Sequence, residues 1–194
     1  MPWDKKSFEE LRKLIKESVK GKSPPTGVPF YIFVYKPDEE TICIKQFNKL
    51  VNELKNDGIR TQVIYLGQLL AHLLSELPYL SQKGKEIEKD QREELRRELS
   101  KILPEKIANA LLTGFKNLFE PLSGMRQNTV TIILRSGALF PFARISQILT
   151  LLEGKTHSTL IVAFPGTLLK AERTIFKFLN ETEGTYYRAK VLGG

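Results

Sequence analysis

The sequence predicts an α/β fold: a three-layer α/β/α domain with a mostly parallel sheet of about five strands and a helical insertion between strands 2 and 3. Short apolar runs rich in β-branched and aromatic residues, VPFYIFVY at 28–35, TVTIIL at 129–134 and STLIVAF at 158–164, have the composition of strands covered on both faces. Segments of helical period separate them, so strands and helices alternate, as right-handed parallel crossovers require. With 194 residues, 41% of them apolar, the chain can bury one sizeable core, which predicts a single domain over 1–194.

Taken in order, residues 1–22 form an N-terminal amphipathic helical segment. Ser7 and Glu10 have the S-x-x-E spacing of a capping box, and Phe8, Leu11, Leu14, Ile15 and Val19 recur on one face, which predicts a helix over 8–20. GKSPPTG at 21–27 is a turn-rich connector into the first strand, 28–35. Cys43, Phe47, Leu50, Val51 and Leu54 mark a second helix with Asp38 as its N-cap, stopped by Asn56-Asp57-Gly58 before a strand at 60–67. Residues 67–121 are longer than one crossover needs and form the helical insertion. Within it, GQLLAHLLSEL is helical up to Pro78, a charged stretch runs to Pro104, and EKIANALLTGFKNLF makes a third helix. The charge run at 83–101 mixes both signs and reads as a solvated helix face. FARISQILTLLEG supplies a helix between the strands at 129–134 and 158–164, and TYYRAKVL at 185–192 adds a fifth strand at an edge.

The residues argue against several kinds of chemistry. No apolar run approaches the roughly 20 residues of a membrane span, and MPWDKKSFEELRK carries charges where a signal peptide is apolar, so a soluble, cytoplasmic protein is expected. Cys43 is the single cysteine, and with His72 and His157 it makes no zinc-ligand pattern; neither a metal nor another cofactor is expected. Gly21-Lys22-Ser23 imitates the end of a phosphate-binding loop. It follows a helix and runs into prolines, however, and Lys16 stands where the motif needs its first glycine. Pro37-Asp38 and Glu53-Leu54-Lys55 echo a metal-dependent nuclease, but the ELK lies in a helical pattern, where an exposed Glu53 is the simpler reading. No G-x-S-x-G elbow is present, and neither histidine has an acid and a nucleophile near it in sequence. A formal charge of +8 and a pI near 9.5 permit weak, non-specific contact with DNA or contact with an acidic protein.

What remains is the edge of the sheet. Arg135-Ser136-Gly137 and Phe164-Pro165-Gly166 follow strands, at the carboxyl ends where open α/β sheets place ligands. Gly137 and Gly166 allow positive φ or close backbone approach, and Pro141 pre-sets the start of the next helix. Arg135 and Arg144 can clamp a carboxylate or phosphate, which makes a nucleotide- or nucleic-acid-binding domain the alternative function. They can equally complete internal ion pairs.

FYIFVYKPDEE at 30–40, RSGALFPFARISQIL at 135–149, FPG at 164–166 and YYRA at 186–189, in this order, resemble the BrxB proteins of the bacteriophage-exclusion (BREX) defence systems. Two departures are Ser136, where threonine is expected, and TLLKAERTIFKFLN after FPG, which lacks a glycine-and-tyrosine loop. The resemblance implies a non-enzymatic component of an anti-phage system that also methylates host DNA. It further implies an adaptor for PglZ, the alkaline-phosphatase-like member, within an assembly that includes a methyltransferase and an ATPase. Tyr187 and Arg188 of the fourth motif then join the strand-end residues as expected partner contacts.

Overall fold

The structure, a computed structural model, describes residues 4–22, 27–77, 89–115, 118–168, 176–178, 181–183 and 189–194. Helix α1 spans Lys5–Val19, and Phe8, Leu11 and Ile15 of its stripe are buried. It is capped by Asp4, whose carboxylate accepts the Ser7 backbone N–H at 3.0 Å, so the expected capping box is corrected. Ser7 lies one turn inside the helix, and Glu10 pairs instead with Lys190 at 2.7 Å. Gly21, at φ 85°, closes α1: its N–H reaches the Ser18 carbonyl and that of Lys22 the Glu17 carbonyl. Gly21-Lys22 therefore ends a helix rather than opening one, and Ser23 lies outside the described residues.

Strand β1, Phe30–Tyr35, is buried at every residue. Pro37 starts a 3-10 turn, Pro37–Glu39, ahead of helix α2, Glu40–Asn56. Asp38 sits in that turn and is not the N-cap; the fixed φ of Pro37 begins the winding early. Strand β2, Arg60–Tyr65, is shorter than expected because Leu66 and Gly67 already belong to helix α3, Leu66–Ser75. Helix α4 runs unbroken from Lys89 to Thr113, whereas the sequence suggested two pieces divided at Pro104. An internal proline costs about 3 kcal/mol. Here Leu99 and Leu103 before it and Ile107 and Leu111 after it all bury into one core, which offsets that cost.

Strand β3, Thr129–Leu134, and strand β4, Thr159–Pro165, are fully buried and flank helix α5, Ile145–Leu152. After β4 come β5 (Thr167–Leu168), β6 (Phe176–Phe178) and β7 (Glu181–Glu183), a small antiparallel sheet that the sequence did not announce. Strand β8, Ala189–Gly193, closes the order; residues 185–188 of the expected edge strand lie outside the described residues.

The main sheet has the order β2-β3-β4-β1-β8, with every neighbouring pair parallel. From β1 the chain crosses one face through α2 to the β2 edge. It then returns through β3 and β4 with α3, α4 and α5 on the other face, and passes β1 to reach β8. Alternation along β1 divides the core: Tyr31, Phe33 and Tyr35 pack under α1 and α2, while Phe30, Ile32 and Val34 pack under α3, α4 and α5. The β2 edge is shielded by residue 120. The Gln62 side-chain amide donates to the Glu120 carbonyl at 3.3 Å and its oxygen accepts the Glu120 N–H at 3.0 Å, so a side chain stands in for a neighbouring strand.

Candidate functional site

Because all five strands are parallel, their carboxyl ends share one edge. At β1 that edge is closed and acidic. The Gly166 N–H donates to the Tyr35 carbonyl at 2.7 Å, joining the ends of β4 and β1. Asp38, Glu39 and Glu40 crowd the first turns of α2, where a phosphate would need positive potential. The Tyr35 hydroxyl, donating to Glu40 Oε1 at 3.4 Å, is pushed well above its ordinary value by burial, with Cys43 and Glu40 adding to the rise and Arg135 opposing it. Burial, then Glu40 and Glu39, push the Cys43 thiol up as well. A thiol held protonated is a poor nucleophile. His72 and His157 are both exposed, and among the described residues no group of His, Cys, Asp and Glu has the arrangement to hold a metal ion.

At β3 the chain turns differently. Arg135 is the one non-glycine residue with positive φ among the described residues, at φ 57° and ψ 40°. Positive φ or close backbone approach is expected of Gly137 and Gly166, but neither has positive φ, and Gly137 lies inside a 3-10 turn, Ser136–Leu139. Holding an arginine left-handed costs about 1–2 kcal/mol. Buried Ser136 helps hold the turn, its hydroxyl donating to the Ala163 carbonyl of β4 at 2.7 Å. Threonine carries the same hydroxyl, so serine at 136 preserves this bond. The Phe140-Pro141 peptide is cis. Phe142 and Ala143 donate back to the Leu139 carbonyl, and Gln147 Oε1 accepts the Arg144 N–H at 3.1 Å to start α5.

This folded loop and the flank of α4 enclose a cleft of about 540 Å³. Ser136, Gly137, Pro141, Arg144 and Phe164 all line it. Arg135, Pro165 and Gly166 do not; they stay at the strand ends, where the charge of Arg135 opposes the rise at Tyr35. Tyr187 and Arg188 lie outside the described residues. The two arginines are both exposed and make no ion pair among the described residues, and only Arg144 lines this cleft. The opposite wall holds residues the sequence reading assigned to solvent: Arg97 and Lys101, one helical turn apart on α4. No one-dimensional signal marked them: both stand two residues from the buried Leu99, which turns them away from the core as on a solvated face. Phe140 and Phe142 complete an apolar wall.

A family model described as BREX protein BrxB matches residues 62–192. The chain belongs to the BrxB family. Membership makes it a component of BREX phage-defence systems, with other BREX components as its partners. The matched span runs from β2 to β8 and contains every residue lining the cleft, while α1, β1 and α2 precede it. No curated protein matches the chain. Among the described residues, no helix of this BrxB chain is long and apolar enough to cross a membrane.

Proposed function

We propose that this BrxB chain is a non-enzymatic interaction module that binds the PglZ-like component of its BREX assembly, using the cleft between α4 and the 136–147 loop. One observation carries the reading. An open cleft within the family-matched span presents Arg97, Lys101 and Arg144 beside Phe140, Pro141 and Phe142, and none of those cations has an ion pair among the described residues. Unspent charge beside apolar surface suits recognition of a protein. The protonated Cys43, the exposed and separate histidines and the helix-ending Gly21-Lys22 supply no catalytic set to set against it. A phosphate clamp formed jointly by Arg135 and Arg144 is less well supported, because only Arg144 faces the cleft.

Co-expression with the PglZ-like protein of the same system tests the proposal. Arg144→Gln removes an exposed charge and should shift stability by no more than about 0.5 kcal/mol. Recovery of the partner on affinity-purified chain should fall about tenfold. Recovery at the level of the unaltered chain, with an unchanged melting temperature, would overturn the cleft as the docking site.

A further inference from the structure

We infer that the occupant of the cleft is an extended acidic peptide segment in which carboxylates alternate with apolar residues; the inference rests on the interaction-module reading and specifies its ligand. The cleft follows α4 from Glu93 to Lys101, eight rises of the helix or about 12 Å. That length matches about four residues of extended chain. Arg97 and Lys101, at i and i+4, have their Cβ atoms about 6 Å apart on one side of the helix. In an extended segment, side chains at i and i+2 point the same way about 7 Å apart, so two carboxylates in an acidic-x-acidic pattern meet both cations. The intervening side chain points the other way, towards the wall made by Phe140 and Phe142. Arg144, across the cleft at the start of α5, supplies a further cation to a carboxylate.

The charge pattern favours such a peptide over a nucleic acid strand. Glu93 lines the same cleft, and Glu94 and Glu98 are exposed on the same helix, so among the described residues the cations give way to a carboxylate at the Glu93 end of the cleft. A peptide with a few acidic residues ends where that change begins. A polyphosphate backbone extending past it meets carboxylates, and its affinity would fall steeply with salt.

Fluorescence anisotropy with the full chain tests the inference. The probe is a labelled eight-residue peptide of alternating Glu and Leu; a Gln-Leu peptide, a Glu-Ser peptide and an oligothymidylate of equal charge are the comparison ligands. The Glu-Leu peptide should bind tightest. Arg97→Gln with Lys101→Gln should weaken it about tenfold or more. Lys45→Gln with Lys49→Gln, which removes an exposed i, i+4 lysine pair from α2 that does not line this cleft, should leave it unchanged. Tighter binding of the oligothymidylate, equal binding of the Glu-Ser peptide, or equal loss in the α2 double variant would overturn the inference. Partner recovery separates the two levels. If the PglZ-like protein co-purifies equally with the Arg97→Gln, Lys101→Gln chain, the acidic-segment inference fails while the interaction module survives. If the peptide binds in the expected pattern but the partner is never recovered, the assignment of that partner fails and the acidic-segment site stands.

Discussion

The two faces of the sheet are packed to different ends. Under α1 and α2, Phe8, Phe33 and Phe47 meet edge to face, with ring centroids 5.2–5.9 Å apart, and buried Tyr31 shares a 2.5 Å hydrogen bond with Ser18. Lys16 and Arg12 bridge α1 to Asp57 and Glu53 of the α2 end, so these two cations are paired within the layer. On the opposite face, α4 and the loop before α5 pack a deep core yet leave a cleft whose cations have no such partners among the described residues. The contrast is local: the cations that link α1 to α2 are paired within the layer, whereas Arg97, Lys101 and Arg144 of the cleft have no ion pair among the described residues and are open to another molecule.

The sharpest way to break that comparison is Phe47→Ala. Phe47 is wholly buried between the other two rings, and truncation should cost about 3–5 kcal/mol in chemical denaturation. Below the shifted melting temperature, partner recovery should remain intact. A stable variant that has lost its partner would show the sealed face to be the docking surface after all.

Alkaline titration probes the same face more gently. Burial raises the hydroxyls of Tyr31 and Tyr35 and the thiol of Cys43 above their ordinary values, so each is protonated in the fold. A group whose folded pKa is raised contributes stability that is complete below its unfolded value and is lost as pH climbs towards the folded one. Unfolding free energy should therefore decline from about pH 9 upwards, by at most about 1.4 kcal/mol per pH unit for each group. Tyr35→Phe should flatten the decline, and an unchanged slope would mean that Tyr35 is not held protonated.

The smallest effect belongs to the loop. Arg135→Gly relieves a left-handed residue and should raise stability by about 1 kcal/mol in thermal denaturation. Because Arg135 stands outside the cleft, partner recovery should not change. Loss of the partner in that variant would extend the working surface from the cleft to the strand ends.

Much of the fold was legible because periodicity is local. The apolar runs at 28–35 and 129–134 contain β1 and β3, the run at 158–164 contains β4 up to Pro165, and the α2 stripe buried every side chain its spacing selected, while the α1 stripe buried Phe8, Leu11 and Ile15 and left Leu14 and Val19 partly exposed. Errors fell where distant contacts outvoted local preference. Pro104 suggested a helix end, but core packing on both sides carried α4 through it. Gly137 suggested the left-handed turn, but anchoring of Ser136 on Ala163 accompanies that strain on Arg135 instead.

The candidate site divides in the same way. The residues alone determined that RSGALFPFAR leaves a strand end and carries turn, aromatic and cationic groups, and its resemblance indicated the BrxB family that the 62–192 match establishes. Only the tertiary structure decided which of those groups face one another. Arg97 and Lys101 lie in a charge run that looks uniformly solvated in one dimension, and they reach the wall opposite Arg144 only because α4 packs beside α5. Arg135, nine residues from Arg144, does not line the cleft, and its charge opposes the rise in pKa at Tyr35 instead. Sequence spacing sets which face of its own element a side chain occupies; which other element that face meets is set by burial of the core, a property of the whole chain.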